Sequence, residues 1–253
     1  MSYTFRSCRT LEELAACVDV QGKIWGYADR ELYPLRLFVN LTKIGGHVLG
    51  AFASKGELVG FVASMPAWRG RLRYYYSLSL GVLPQHENQG VGRSLKLAQR
   101  RAALRAGIQV IEWTFDPLKA KNAFFNIVRL GAIARRYLPD HYGCMESRLQ
   151  QGLPSDRLVA EWWLGSARVR RALHGKALPS QVRMPAAEVL IPSQVEAYAA
   201  TQAALARAEQ AALREQLQKC FARKLAITGC ARDEEGTRYL LNSLATAGLP
   251  RRI

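Results

Sequence analysis

Between Leu72 and Val82 the chain alternates. Leu72, Tyr74, Tyr76, Leu78, Leu80 and Val82 fall on one side, Arg73, Tyr75, Ser77 and Ser79 on the other. A period of two predicts a long strand with one more polar face. Upstream, Tyr3–Ser7 predicts a first strand. Thr10 with Glu13 forms a capping box that opens a helix running to about Trp25. A second helix is expected over Leu32–Lys43, ending at Gly45-Gly46. Val48–Ala53 and Leu58–Ser64 should pair as an antiparallel hairpin around Lys55-Gly56. Downstream, Val91, Leu95, Ala98 and Ala102 mark the buried stripe of a helix from about Gly90 to Arg105, with Lys96 and Arg100 expected on its solvated side. Ile108–Phe115 reads as a buried strand ended by Asp116-Pro117, and Lys119–Leu130 as a helix closed by Gly131.

Strands are expected over Ala134–Leu138, Met145–Leu149 and Arg157–Trp163. Ser166–Pro185 is basic, contains proline and has no acidic residue, so it reads as a linker or surface helix. After a short strand at Glu188–Ile191, Pro192-Ser193 opens a long amphipathic helix to about Arg223. Its apolar positions are Val195, Tyr198, Leu205, Leu213, Leu217 and Phe221. Leu225–Thr228 and Thr237–Leu241 make a final hairpin. The fold class is α+β, an α/β sandwich: a mixed, mostly antiparallel twisted sheet flanked by helices. The division expected is a domain over residues 1–163 and an extension over 164–253, made of a basic linker, a long helix and a hairpin.

The segment Leu80–Gly107 carries the chemistry. A strand ends in Leu80-Gly81-Val82, a short loop carries Gln89-Gly90-Val91-Gly92, and a helix comes next. Strand, glycine turn and helix N-terminus together aim backbone N–H groups at an anion, and glycine lets a phosphate approach without a Cβ in the way. Arg93, in the first helical turn, is within reach of such a phosphate. No Gly-Lys-Ser/Thr is present after the turn, and the spacing is not that of a dinucleotide fingerprint.

The turn Glu87-Asn88-Gln89-Gly90-Val91-Gly92 resembles motif A of the GCN5-related N-acetyltransferase (GNAT) superfamily, whose form Arg/Gln-x-x-Gly-x-Gly/Ala holds the pyrophosphate of an acyl-CoA. Both glycines match, and Glu87 stands where the family has Arg or Gln. Asn122 before an apolar helix closed by Leu130-Gly131 resembles the second CoA-side motif. Ile127 stands where a tyrosine often serves as general acid. The segments WTFDPLKAKNAFFNIVRLGA, LPDHYG and GLPSDRLVAEWWL look like a bacterial branch of this superfamily with a C-terminal extension, some of whose members resemble amino-acid N-succinyltransferases.

The resemblance implies an acyl-CoA-dependent N-acyltransferase that moves an acetyl or succinyl group to the amine of a small metabolite such as an amino acid. Attack is direct, in a ternary complex. Leu80, Gly81, Val82, Gln89, Gly90, Val91, Gly92, Arg93 and Asn122 are the residues it places on the cofactor. An amine attacking a thioester needs a base and a donor for the oxyanion, and the leaving thiolate benefits from an acid. The base candidates are Glu112 and Asp116, on and just after the strand beside the turn. The acid candidates are Tyr137 and Tyr142. Each has a plainer role open to it: an ion pair for Glu112, a turn cap for Asp116, packing for the tyrosines. Two other functions stay open: a CoA-binding module without catalysis, and a nucleic-acid-associated protein.

Charge alone suggests the last of these. The chain of 253 residues carries a net +16, with +9 in residues 1–163 and +7 in residues 164–253. So dispersed a field attracts anions of many kinds, and no aromatic-basic or helix-turn-helix signature favours nucleic acid. The five cysteines are scattered without a Cys-x-x-Cys pair, and the four histidines show no metal-ligand spacing, so free thiols and no metal are expected. Met1–Arg6 runs straight into strand-like sequence and no apolar run approaches a membrane span, so a cytoplasmic protein without a leader is expected. The extension could fold back over the cleft or pair with a second copy in a homodimer.

Overall fold

The computed structural model describes residues 2–26, 31–143, 152–178, 184–192, 195, 201–234 and 236–249. They form two compact units, one reaching to Glu112 and the other starting at Trp113.

In the first unit, β1 (Tyr3–Ser7), β2 (His47–Ala53), β3 (Leu58–Arg69) and β4 (Leu72–Val82) form an antiparallel run in that order. β4 then pairs in parallel with the start of β5 (Val110–Phe115), at Tyr75↔Ile111 and Tyr76↔Glu112. Helices α1 (Leu11–Trp25), α2 (Leu35–Lys43) and α3 (Val91–Arg105) pack on this sheet. The capping box forms as expected: Thr10 Oγ1 accepts from the Glu13 N–H at 3.2 Å, and Gly26 closes α1 with φ 59°. Pro34 fixes the start of α2 three residues later than the sequence pattern suggests. Phe38, Leu41, Val59, Phe61, Val62 and Leu95 sit in its core.

Strand β4 departs from its simple alternation. Ala63 pairs with Ser79 but Ser64 pairs with Ser77, so Leu78 is an extra residue in the β3–β4 ladder. A bulge of this kind reverses the facing of the strand residues beyond it. Ser77 turns to α3 and is buried, whereas a Cβ on Gly81 would lie 2.6 Å from Ile24 Cδ1 of α1. Tyr75 and Ser77, expected on the wetter face, are both buried.

Lys96 also departs from expectation: it is 2% exposed, not solvated. The buried arc of α3 is Val91, Leu95, Lys96, Ala98, Gln99 and Ala103, wider than the apolar stripe and rotated toward its polar members.

The second unit has a sheet in the order β7 (Arg157–Trp163), β6 (Ile133–Leu138), β9 (Leu225–Arg232), β10 (Gly236–Ser243), β8 (Ala187–Pro192). Its paired strands are antiparallel. The predicted helix over Lys119–Leu130 is instead one α-turn, α4 (Ala120–Ala123), running into a π-helix over Phe124–Arg129. The wide turn brings Asn126 and Ile127 inward, where Asn126 Oδ1 accepts from Trp113 Nε1 at 3.3 Å.

The predicted linker holds α5 (Ala167–Leu173), capped by Ser166. Its Arg168 is 2% exposed and donates to the carbonyls of Gly131 (2.9 Å), Ile127 (3.2 Å), Ala132 (3.3 Å) and Thr228 (2.6 Å). A basic residue is tolerated inside because four carbonyl dipoles replace its water.

The long helix, α6, spans Ala203–Ala222, with Ala206, Gln210, Leu213, Leu217 and Cys220 buried. Leu205, expected inside, is 45% exposed. Tyr198 and the strand expected over Met145–Leu149 lie outside the described residues. No helix among the described residues is long and apolar enough to cross a membrane.

Candidate functional site

In the first unit the turn forms as its glycines dictate. Gly90 is the N-cap of α3 with φ 80°, a left-handed conformation that costs a side-chain-bearing residue about 1–2 kcal/mol. No side chain among the described residues caps the helix, and its first intrahelical bond is Ser94 N–H to Gly90 O at 3.0 Å. The N–H groups of the first turn therefore precede the ladder and face outward with the positive end of the helix dipole. A Cβ on Gly90 would meet nothing within 4 Å, and one on Gly92 only Val82 Cγ2 at 3.8 Å. The approach to the turn is open backbone. Arg93 is half-buried in the same turn, and no acidic residue lies there.

The loop leading in is held from a distance. The Tyr3 hydroxyl lies 2.9 Å from His86 Nδ1 and donates to Gln89 Oε1 at 2.7 Å, while Gln89 Nε2 donates to Gln85 O at 3.0 Å. Gln89, expected on the cofactor, has both ends of its amide engaged in shaping the loop. Leu80 and Val82 are half-buried at the end of β4, and Gly81 is buried against α1.

The parallel β4–β5 ladder holds Tyr75↔Ile111 and Tyr76↔Glu112, and β3 pairs with β4 as far as Val82. The bulge at Leu78 lies between that ladder and the end of β4. A bulged strand that leads to an open helix N-terminus presents backbone donors to an extended anionic ligand.

Glu112 is 2% exposed, and both its oxygens accept from Arg69, at 2.8 and 2.9 Å. The guanidinium also lies over the Tyr74 ring, 5.3 Å from its centroid. Arg69 has no sequence signal linking it to Glu112, because it comes from the β3 end, 43 residues earlier.

The remaining candidates lie in the second unit. Asp116 Oδ1 accepts from the Leu118 N–H at 2.8 Å, a turn cap. Asn122 is exposed on α4. Tyr137 is buried. Its hydroxyl donates to Asp156 Oδ2 at 2.6 Å, and burial together with that carboxylate pushes its pKa well above the ordinary tyrosine value. Asp156 in turn accepts two bonds from Arg214 of α6, at 2.9 and 2.8 Å, and one from the Asp140 N–H at 2.9 Å. Tyr142 is 44% exposed. Its hydroxyl shares a 2.8 Å hydrogen bond with Thr114 Oγ1, beside the ring of His141 and the guanidinium of Arg157. Ile127 is fully buried.

Among the described residues no group of three or more His, Cys, Asp or Glu could hold a metal ion. Cys8, Cys17, Cys220 and Cys230 are free and buried, with Cys8 and Cys17 Sγ atoms 3.9 Å apart, a proximity their separation in sequence hides.

A comparison with curated proteins finds no match. The fold is shared with solved structures. The ribosomal-protein-S18-alanine N-acetyltransferase from Escherichia coli is 14% identical with a TM-score of 0.51, covering 66% of this chain and 96% of that one. NAA60 from Arabidopsis thaliana, solved with a bisubstrate analogue, is 15% identical with a TM-score of 0.50, covering 64% and 98%. The yncA protein from Salmonella typhimurium, solved with its cofactor acetyl-CoA, is 19% identical with a TM-score of 0.50, covering 65% and 95%. Residues 13–128 match the model of the acetyltransferase (GNAT) family. Over residues 13–128 the chain is therefore similar to the GNAT acetyltransferase family, and it shares the fold of those solved acetyltransferases.

Proposed function

We propose that the protein is an N-acyltransferase that uses acetyl-CoA or succinyl-CoA to acylate the amine of a small metabolite, an amino acid being the favoured class. The observation that carries this is the uncapped, open N-terminus of α3 at Gly90–Gly92, which follows the bulged strand β4. The turn receives the pyrophosphate, and the edge of β4 receives the amide-bearing arm. An acetyl-CoA complex of yncA, which shares the fold, is consistent with that reading. The succinyl group and the amino-acid acceptor rest on the resemblance of most of the chain, carried by segments 113–132, 138–143 and 152–164, to the N-succinyltransferase-like branch.

Within the chemistry, the acid role goes to Tyr142, whose hydroxyl is on an exposed side chain and already shares a proton with Thr114 of β5. Tyr137 is committed to Asp156 and holds the second unit together. Of the two carboxylates, Asp116 is the better base, since Glu112 is buried with both oxygens on Arg69.

The test is binding and then turnover. CoA should raise the melting temperature of the wild type. Gly92→Val, whose Cβ has room beside Val82 Cγ2, should melt at the wild-type temperature and gain nothing from CoA. Unchanged CoA stabilisation in that variant would sink the site. Native mass spectrometry of the purified protein should show a bound acyl-CoA and identify its acyl group. Thiol release with a panel of amines then finds the acceptor. With it, Tyr142→Phe should lower turnover roughly 10²–10⁴-fold.

A further inference from the structure

Gln99 sits on the buried arc of α3 and is fully buried. Its Nε2 has two hydrogens and uses one on each of two serines: Ser64 Oγ at 2.6 Å and Ser77 Oγ at 2.8 Å. Those serines are not an arbitrary pair. Ser64↔Ser77 is the last aligned pair before the β3–β4 register shifts, so the amide bridges the two strands at the foot of the bulge. A bulge lacks one rung of its own ladder and is free to slip or anneal unless something outside the ladder fixes it. Slippage by one residue here would return Leu78 to the ladder and turn Leu78–Val82 to the other face.

The fixing is rigid because of where it is made. The amide and both hydroxyls are dry, the donor comes from the middle of a 15-residue helix, and the same helix begins at the phosphate-binding turn. One element thus sets both ends of a ligand path. Its first turn positions the anion, and Gln99, two turns later, positions the strand along which the ligand must lie. From Val82 back to Leu78 is four residues of strand, roughly 13 Å at 3.3 Å each.

We propose that Gln99 is a positioning residue. By clamping Ser64 and Ser77 it holds the Leu78 bulge in register, so that the backbone of Leu78–Leu80 is presented to the thioester carbonyl of the bound acyl-CoA. This rests on the acyltransferase reading above. Gln99 touches neither substrate nor cofactor, and it acts through β4. A glutamine whose only task was packing would tolerate a volume-matched apolar replacement without moving the strand.

The experiment compares wild type with Gln99→Met, which keeps the volume. The double variant Ser64→Ala with Ser77→Ala removes the acceptors and leaves Gln99 in place, in case the first variant does not fold. Hydrogen exchange of the ligand-free proteins should show the Leu78–Leu80 amides opening about tenfold faster in either variant, with β1–β2 amides unchanged. The second readout is the ¹³C signal of carbonyl-labelled acetyl-CoA. It should shift on binding wild type and fall back toward the free value in the variant, while the Kd moves less than about threefold. Wild-type exchange rates at the bulge, or an identical bound carbonyl signal in wild type and variant, overturn the proposal. If the wild type binds neither acetyl-CoA nor succinyl-CoA, the acyltransferase reading fails and the positioning role falls with it. The exchange data would then still report separately on whether the clamp holds the bulge.

Discussion

Single residues in the first unit separate what the fold needs from what the ligand needs. Gly90 has φ 80° and Gly92 does not need a positive φ. Gly90→Ala should therefore lose about 1–2 kcal/mol of stability while Gly92→Ala loses almost none, which denaturant melts of the two variants will show. Sequence spacing reveals both glycines equally and cannot distinguish them, because the distinction is a dihedral angle. A buried basic pair formed by β2 and α3 was not legible either. Lys96 is fully buried and its pKa is pushed well down by desolvation; His47 is lowered to about 4 by desolvation and by the charge of Lys96. His47 Nε2 has no hydrogen-bond partner among the described residues. Its pKa in the folded state is below its unfolded value of about 6.5, so the unfolded chain binds the extra proton. Stability therefore falls as pH drops from 6.5 toward 4, by up to about 3 kcal/mol from this group. His47→Asn should flatten the melting temperature against pH across that window, and an unchanged acid slope would refute the assignment.

At the level of elements, period and punctuation were enough where one face meets the core and the other meets water. The capping box of α1, the β2–β3 hairpin and the glycine turn before α3 all lie where the pattern places them. The pattern failed where a neighbour distant in sequence supplies the partner. Lys119–Leu130 carries good helical periodicity, yet Trp113 takes Asn126 and Arg168 takes the carbonyls of Ile127 and Gly131, and the turn widens to satisfy them. Ser166–Pro185 reads as solvated because it is basic, and its Arg168 is nevertheless the buried tie. For the site, the turn was legible and its supports were not. Tyr3, Ser64, Arg69 and Gln99 reach their partners across 22 to 86 residues. The junction around Gly131 tests this account. A Cβ there would sit 2.9 Å from Ala172 Cβ and 3.1 Å from Val169 Cα, at φ 77°. Gly131→Ala should cost about 2 kcal/mol or more, and Arg168→Met, which strands four carbonyls, at least about 3 kcal/mol in urea melts. A loss below about 1 kcal/mol in either would show that α5 is not holding the π-helix.

For the whole molecule, the positive charge is spread across both units, so it should act on small anions and not along one nucleic-acid groove. Gel-shift titrations at physiological salt should show no saturable sub-micromolar binding to RNA or DNA; finding it would reverse that reading. The second unit draws on nearly the full remaining length of the chain. Asp156 depends on Arg214, β6 on β9, and the carbonyl of Pro117 on the hydroxyl of Tyr239. In a chain ending at Trp163 the second unit should accordingly show no cooperative melting transition of its own, even though that chain contains every residue that the family model matches. The Tyr239–Pro117 bond also sets a schedule for synthesis. Its partners are 122 residues apart, so at about 5–20 residues per second a ribosome makes Pro117 roughly 6–24 s before it makes Tyr239. Until β9 is made, β6 lacks its partner on that side. The nascent chain is then most exposed to aggregation and most dependent on chaperones, and slow codons between residues 163 and 239 would lengthen that exposure.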